Sequence, residues 1–183
     1  MITPEQALAV YAEAERLYTA EQVEAALDQL AAAISAKLSA TNPLVLCVMT
    51  GGMVPMGMLL PRLDFPLHID YIHATRYRGD TSGGHVQWLA RPTTSLKDRT
   101  VLLVDDILDE GITLKAIRDE CRNAGAHEVH TAVLVNKLHS RKNGMEATFI
   151  GLDVEDRYVF GYGMDYKDYL RNANGIFAVK QND

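Results

Sequence analysis

The hydrophobic pattern of the first forty or so residues predicts two helices. Apolar residues recur at helical spacing between residues 23 and 38, so one stripe of this segment faces a core. Thr19 stands at the N-cap of this helix, and a glutamine three residues later completes a capping box. A shorter helix is predicted from Thr3, which precedes a proline, to about Leu17. Both helices are interpreted as scaffold.

From residue 44 onward, short uninterrupted apolar runs alternate with segments of helical spacing. A run without polar alternation is typical of a strand buried on both faces, as in the centre of a parallel sheet. The repeated strand and helix pattern therefore predicts an α/β fold with an open, mainly parallel sheet flanked by helices. The strand candidates are residues 44–48, 67–72, 85–89, 101–104, 128–135, 149–154 and 158–160.

The most informative stretch covers residues 101–114 and reads VLLVDDILDEGITL. Its apolar run ends in two adjacent carboxylates, Asp105 and Asp106. Successive side chains of a strand point to opposite faces, so at least one of the two must face a crevice at the carboxyl end of the strand. Such a crevice is where an open α/β sheet binds its ligands.

The acidic pair is followed by a turn that opens into a helix. The free N–H groups and the positive dipole end of a helix suit a phosphate group, while Gly111 allows close backbone approach and Thr113 offers a hydroxyl. Carboxylates beside a phosphate would repel it unless they bind sugar hydroxyls, a protonated intermediate or a divalent cation. The turn consists of Asp109, Glu110, Gly111, Ile112 and Thr113.

A second glycine loop, Thr50, Gly51 and Gly52, follows the apolar run at 44–48. It is either an ordinary tight turn or a second anion site, and a helix through about Leu60 is expected after it. Residues 76–84 combine glycines with Tyr77 and Arg78, a composition that cannot pack a core and predicts a mobile loop. This loop is either a lid over an anionic substrate or a plain connection between strands.

Composition narrows the class of protein. With 183 residues and 48% hydrophobic content, the chain is expected to form one domain, residues 1–183. The net charge of -6 argues against a large nucleic-acid interface. Two cysteines are too few for a disulfide framework, and no signal peptide or membrane span is recognised, so a cytoplasmic location without a membrane partner is expected. The six scattered histidines are interpreted as structural or surface residues.

Residues 101–114 resemble the phosphoribosyl pyrophosphate signature of type I phosphoribosyltransferases, in which two acids precede a loop of Asp, a small residue, Gly and Thr or Ser. Glu110 departs from the signature, because the family usually has Thr or Ser there, and Thr50 stands where many members have Lys or Arg. The order of residues between Lys137 and Arg171 is similar to the carboxyl-terminal half of hypoxanthine-guanine phosphoribosyltransferases.

The resemblance implies helices at about 3–40, a core at about 44–160, and a small hood at about 158–183 over the active site. It implies transfer of a phosphoribosyl group to a 6-oxopurine with Mg²⁺, by a homodimer or homotetramer. Asp109 would be the catalytic acid and base, and Tyr77 and Arg78 would belong to the lid. The base would be bound by Lys137, Tyr158, Val159 and Asp165, and the metal by Asp105, Asp106 and Asp165. Phosphoribosyl pyrophosphate would contact Thr50, Gly51, Gly52, Asp105, Asp106, Asp109, Glu110, Gly111, Ile112, Thr113 and Arg171.

Two alternatives stay open at the level of sequence. A related transferase that prefers xanthine would need a donor or a cation near the 2-oxo group of the base. A non-catalytic regulator that binds phosphoribosyl pyrophosphate and RNA would keep the same signature. It should show a basic face, however, and it would not need Lys137, Asp165 and Arg171 together.

Overall fold

The structure is a computed structural model that describes residues 2–76 and 86–180. The predicted lid residues Tyr77 and Arg78 lie outside the described residues. The helices are α1 (Pro4–Glu13), α2 (Ala20–Leu38), α3 (Met53–Leu59) and α4 (Ile112–Asn123), with a 3₁₀ turn at Leu60–Arg62. The strands are β1 (Glu15–Tyr18), β2 (Leu44–Met49), β3 (His68–Arg76), β4 (Val86–Ala90), β5 (Thr100–Leu108), β6 (Glu128–Leu138), β7 (Phe149–Glu155), β8 (Val159–Phe160) and β9 (Ile176–Ala178).

Six strands form the main sheet in the order β4, β3, β2, β5, β6, β7. All neighbours are parallel except β3 and β4, so the antiparallel pair lies at one edge. The predicted open, mainly parallel α/β sheet is therefore confirmed. Because β2 and β5 are central neighbours, the two glycine-containing loops that follow them lie at the same edge of the sheet.

The core lies on both faces of the sheet, as the uninterrupted apolar runs predicted. Along β5, Leu102 and Val104 pack in the cluster formed with α2 and α3, while Val101 and Leu103 pack in the cluster formed with α4. All four side chains are buried. Burial of each such side chain stabilises the fold by roughly 1.5–3 kcal/mol. This packing holds the strand that carries the acidic pair in one position.

A second, three-stranded antiparallel sheet forms the hood, in the order β1, β9, β8. The prediction that the first helix runs to about Leu17 is wrong, because α1 ends at Glu13 and Ala14 already has an extended conformation. The next residues form β1, which pairs with Ile176–Ala178. Backbone pairing with the distant end of the chain outweighs local helix propensity here. The hood therefore also includes an amino-terminal strand.

Two central strands are longer than predicted, and the extra residues carry functional candidates. β5 continues through Asp105 and Asp106 to Leu108, and β6 continues through Lys137 to Leu138. The acids and the lysine consequently project from a hydrogen-bonded sheet rather than from a free loop. Within the described residues, none of the helices is both long and apolar enough to span a bilayer.

Candidate active site

The predicted residues meet in two adjoining cavities at the carboxyl edge of the sheet, of about 290 Å³ and about 230 Å³. Both are lined by Ile107, Asp109 and Asp165, so they form one continuous crevice. The first also holds the acidic pair and both glycine loops, and the second holds Lys137 and Tyr158. Phosphate-binding and base-binding candidates thus occupy opposite ends of one crevice.

The loop before α4 has the geometry that the sequence predicted. Gly111 is its N-cap residue with φ 79°, a left-handed conformation that glycine adopts without strain. A Cβ atom on Gly111 would also lie 2.7 Å from Cβ of Met145. No described side chain caps the helix, and its first residues, Ile112 and Thr113, line the cavity. This end of the crevice can bind an anion.

The glycine loop after β2 packs directly on the acidic strand. The Met49–Thr50 peptide bond, at the start of this loop, is cis. A Cβ atom on Gly51 would lie 2.0 Å from Oδ2 of Asp106, and one on Gly52 would lie 2.4 Å from the carbonyl oxygen of Val104. Only glycine therefore permits this approach.

Asp105 and Asp106 lie next to each other at the centre of the crevice. The backbone N–H of Asp106 donates to Oδ1 of Asp105 at 2.9 Å. Burial, reinforced by the charge of its neighbour, raises the pKa of Asp105 well above its ordinary value. Burial also raises the pKa of Asp106. The pair is thus short of counter-charge and suited to hydroxyl groups or a cation.

Asp109 is held by two partners from β6 and the residues after it. Nζ of Lys137 donates to Oδ2 at 2.9 Å, and Nε2 of His139 lies 2.6 Å from Oδ1. Partial burial alone would raise the pKa of Asp109, but the hydrogen bonds and charges of these two residues outweigh it and hold the pKa below its ordinary value. Asp109 is therefore ionised at neutral pH.

Arg171 joins the hood to the crevice. Its Nη2 atom lies 2.8 Å from Oδ1 of Asp165, and Nη1 lies 3.8 Å from Oδ2 of Asp106. Nη1 also donates to the carbonyl oxygen of Gly163 at 2.6 Å. Gly163 has φ 106°, and a Cβ atom there would lie 2.2 Å from the carbonyl oxygen of Gly51. The hood and the glycine loop after β2 are thus in direct contact.

The base-binding end is aromatic and partly open. The Tyr158 side chain is half exposed and meets the ring of Tyr166 edge-on, with ring centroids 5.4 Å apart. Val159 is buried in β8, where its backbone pairs with Ala178. An exposed tyrosine face beside a buried apolar residue offers a stacking surface for a planar ring.

Arg141 is paired outside the crevice, whereas a histidine that the sequence did not single out lies against Asp109. Arg141 forms a two-pronged ion pair with Asp156, at 2.6 and 2.9 Å, and points to the surface. The interpretation of all the histidines as structural or surface residues overlooked His139, whose side chain is almost fully buried against Asp109. Its position two residues after Lys137 was an available signal, because alternate strand residues share a face.

The acidic side chains fit a metal that arrives with its substrate. Among the described residues, no three His, Cys, Asp or Glu side chains are placed to hold a metal together. Asp106 and Asp165 instead lie on either side of Arg171. Mg²⁺ commonly takes only one or two carboxylates, together with water and substrate phosphates. These carboxylates offer the hard oxygen atoms that such an ion requires.

The fold agrees with comparisons to known proteins. Hypoxanthine-guanine phosphoribosyltransferase of Streptococcus agalactiae is 31% identical over 166 residues, which cover 90% of this chain and 92% of that protein. The Bacillus subtilis protein of the same name is 30% identical over 165 residues, with the same coverage. A hypoxanthine phosphoribosyltransferase structure from Staphylococcus aureus has a TM-score of 0.88 and 28% identity, covering 94% of this chain and 95% of that one.

The match to the family itself is nearly as long as the alignments to single relatives. Residues 13–168 match the phosphoribosyl transferase domain family. This range includes β1 of the hood, the six strands of the main sheet and Asp165. The chain therefore belongs to the phosphoribosyl transferase domain family and is a phosphoribosyltransferase enzyme.

Proposed function

We propose that this enzyme transfers the phosphoribosyl group of phosphoribosyl pyrophosphate to hypoxanthine or guanine, giving IMP or GMP and pyrophosphate. The observation that carries the proposal is the position of Lys137 and Asp109 against each other at the aromatic end of the crevice. A purine placed there would have its 6-oxo group near a cation and its imidazole nitrogen near a carboxylate. The sugar donor would extend towards the amino end of α4.

The sugar donor is held at three points in this proposal. The 5′-phosphate accepts hydrogen bonds from the first N–H groups of α4 and from the Thr113 hydroxyl. The ribose hydroxyls donate to Asp105 and Asp106, whose shortage of counter-charge favours such donors. The pyrophosphate lies along the Thr50, Gly51 and Gly52 backbone, with Arg171 as a counter-charge. Glu110 contributes its backbone to the phosphate loop.

Chemistry in the crevice begins with loss of pyrophosphate, which leaves positive charge on the ribose ring. The negative acidic pair next to the ring stabilises that charge more than it stabilises the neutral ring. Asp109 removes the proton from the purine nitrogen that attacks the anomeric carbon. Tyr158 stacks on the base, and the backbone of Val159 contacts its edge.

Base selection rests on Lys137. An ammonium group can donate to the 6-oxo group of hypoxanthine or guanine but not to the amino group of adenine. A buried donor left without an acceptor is expensive, so adenine is rejected. When Lys137 turns to the base, Asp109 loses a positive partner and its pKa rises. The carboxylate then becomes a stronger base when the purine is in place.

Mg²⁺ belongs to the proposal as a substrate-borne ion. Asp165 would hold it together with pyrophosphate, and Asp105 and Asp106 would hold it with the ribose hydroxyls. The ion would neutralise charge that develops on the leaving group. Arg171 already balances Asp165 and Asp106 in the free crevice, so it would have to share them when the ion arrives.

The proposal includes a homo-oligomer, a dimer or tetramer, in the cytoplasm. An apolar cavity of about 490 Å³ lies between α3 and β3. Next to it, Met53, Ile69 and Tyr71 each expose about half of their surface. A contiguous apolar patch of this kind favours a second copy of the chain. Ile69→Lys should lower the mass measured by light scattering, whereas Leu8→Lys, at an apolar site outside this patch, should not.

The proposed cytoplasmic location is based on the two buried free cysteines, because thiols persist in a reducing compartment.

The first test is an ultraviolet assay with phosphoribosyl pyrophosphate and Mg²⁺, in which hypoxanthine, guanine, xanthine and adenine are offered separately. Turnover of the first two, loss of activity in chelator and little adenine turnover are expected. If xanthine is the best substrate, the enzyme is instead a phosphoribosyltransferase that prefers xanthine. Binding of the sugar donor without turnover of any base would favour the non-catalytic regulator.

The second test replaces the proposed acid and base. Asp109→Asn should lower kcat about 10²- to 10⁴-fold, the usual contribution of a positioned base, with little change in KM for the sugar donor. Asp64→Asn is the matched control, because Asp64 is exposed outside the crevice. Full turnover by Asp109→Asn would show that Asp109 is not the catalytic acid and base.

A further inference from the structure

The second partner of Asp109 is a histidine with its own fixed hydrogen bonds. Only 4% of the His139 side chain is exposed to solvent. Its Nε2 atom lies 2.6 Å from Oδ1 of Asp109, and the backbone N–H of Arg141 donates to its Nδ1 atom at 3.1 Å. The ring is therefore held from both sides, between a backbone amide and the proposed base.

These two contacts determine which ring nitrogen carries the proton. A backbone N–H can only donate, so Nδ1 of His139 must accept and carries no proton. In this tautomer the proton lies on Nε2, which donates to the Asp109 carboxylate. In this tautomer Nε2 of His139 can only donate, so it stabilises Asp109 only when the bonded carboxyl oxygen acts as an acceptor.

The two donors on Asp109 have different tasks in the proposed reaction. Lys137 is bonded to Oδ2 in the free crevice, but it must leave for the 6-oxo group when a purine binds. His139 is bonded to Oδ1, and its buried ring is also fixed by the Arg141 amide, so it stays in place when the purine binds. Asp109 therefore keeps one of its two donors throughout the reaction.

We propose that His139 is a positioning residue that keeps Asp109 oriented and hydrogen-bonded after Lys137 has turned to the purine. The inference rests on the proposed function, and it adds a residue that acts through the base rather than on the substrate. Without His139, Asp109 would lose both partners in the substrate complex and could rotate away from the purine nitrogen.

Other charged groups near this pair do not replace His139. Arg141 is committed to Asp156 by two hydrogen bonds, and Asp165 is committed to Arg171. Glu110 and Asp156 are carboxylates and cannot donate to Asp109 at neutral pH. Among the described residues, Lys137 and His139 are the side chains hydrogen-bonded to Asp109.

Two substitutions separate the contact with Asp109 from the rest of the site. His139→Asn can still accept from the Arg141 amide but is too short to reach Asp109. His139→Gln is long enough to present an N–H group to Oδ1 of Asp109. His127→Asn is the matched control, because His127 is exposed at the opposite end of β6.

The readout is the pH profile of kcat with hypoxanthine, because kcat reports ionisation in the substrate complex, where Lys137 has turned to the purine. Loss of a donor destabilises the carboxylate, so the acid limb of the His139→Asn profile should move up by about one pH unit, with kcat lowered roughly ten-fold. KM for the sugar donor should be unchanged. His139→Gln and His127→Asn should keep the wild-type acid limb. A wild-type limb and full turnover in His139→Asn would overturn the inference.

The inference and the proposed function fail in different ways. If the wild-type enzyme does not turn over hypoxanthine, or if Asp109→Asn retains turnover, the proposed function is wrong. If Asp109→Asn is inactive and His139→Asn is normal, only the role of His139 is wrong. Should His139→Asn not fold, ¹⁵N NMR of the wild-type imidazole with bound IMP decides. A protonated, hydrogen-bonded Nε2 is expected there, and its loss would contradict the inference.

Discussion

Nζ of Lys137 lies 2.9 Å from Oδ2 of Asp109, so the proposed base-recognition cation and the proposed acid and base hold each other in the free crevice. They are 28 residues apart in the chain and meet because β5 and β6 are parallel neighbours. A purine with a 6-oxo group can take Lys137 from Asp109, whereas adenine offers no acceptor there. In the proposed reaction, this ion pair would make base recognition and activation of Asp109 one event.

Replacement of Lys137 tests this relationship. Lys137→Ala should raise KM for hypoxanthine about ten- to hundred-fold, because a charge-assisted hydrogen bond to the base is lost. The preference for hypoxanthine over adenine should fall by a similar factor. Steady-state assays with both bases measure this, and Lys37→Ala, on the exposed surface of α2, serves as the control. Retained rejection of adenine would show that another group selects the base.

The carboxylate in the phosphate loop gives a second prediction. Glu110 lies in the loop before α4 and lines the phosphate end of the crevice. Glu110→Thr removes a negative charge near the donor phosphates, worth roughly 1 kcal/mol at a separation of about 4 Å in water. KM for phosphoribosyl pyrophosphate should fall about five-fold. Glu13→Thr, at the exposed end of α1, should leave it unchanged. An unaltered KM in Glu110→Thr would place the carboxylate away from the phosphate.

The contact between the two loops gives a third prediction. A Cβ atom on Gly51 would overlap the Asp106 carboxylate, so Gly51→Ala must displace it and should cost about 1–3 kcal/mol of stability as well as activity. Gly57 lies in α3 with nothing within 4 Å of its Cβ position. Gly57→Ala should therefore stabilise the protein by about 0.5–1 kcal/mol through helix propensity alone. Urea denaturation of both variants measures these changes, and equal stability would contradict the packing argument.

Asp105 gives a prediction on the pH dependence of stability. Unfolded, its pKa is near the ordinary value of about 4. Folded, burial and the charge of Asp106 raise that pKa. Between the two values the unfolded chain has released a proton that the folded protein retains. The free energy of unfolding contributed by Asp105 therefore falls as the pH rises from about 4 towards the folded pKa, and stays low above it.

Asp105→Asn should remove this loss of stability at high pH, and it should also abolish binding of the sugar donor. Without ligand, the variant should gain about 1–3 kcal/mol over wild type at pH 8. This corresponds to roughly 2–4 °C in Tm for each kcal/mol. The gain should disappear near pH 3, below both pKa values, where the wild-type side chain is protonated in the folded and the unfolded state. Thermal melts at the two pH values test this. An equal difference at both would show that the charge of Asp105 is not the cause.

Much of the site could be predicted because its signals are local in sequence. An apolar run, two acids, a glycine and a helix start within fourteen residues indicate a buried strand and a phosphate loop whatever surrounds them. The loop at Thr50 to Gly52 was predicted in the same way, from glycines that directly follow an apolar run. The helix capping box at Thr19 was also predicted and is formed, since a cap involves only neighbouring residues.

Local sequence patterns were enough to predict the sheet, the order of its elements and the candidate residues for phosphate binding. The side-chain and strand partners, in contrast, depend on the three-dimensional fold. The pairing of β1 with β9, the commitment of Arg141 to Asp156, and the burial of His139 against Asp109 each join residues that are distant in the chain. Backbone pairing across the hood outweighed helix propensity at residues 15–18. Which carboxylate a cation meets depends on strand neighbours, which no local pattern contains.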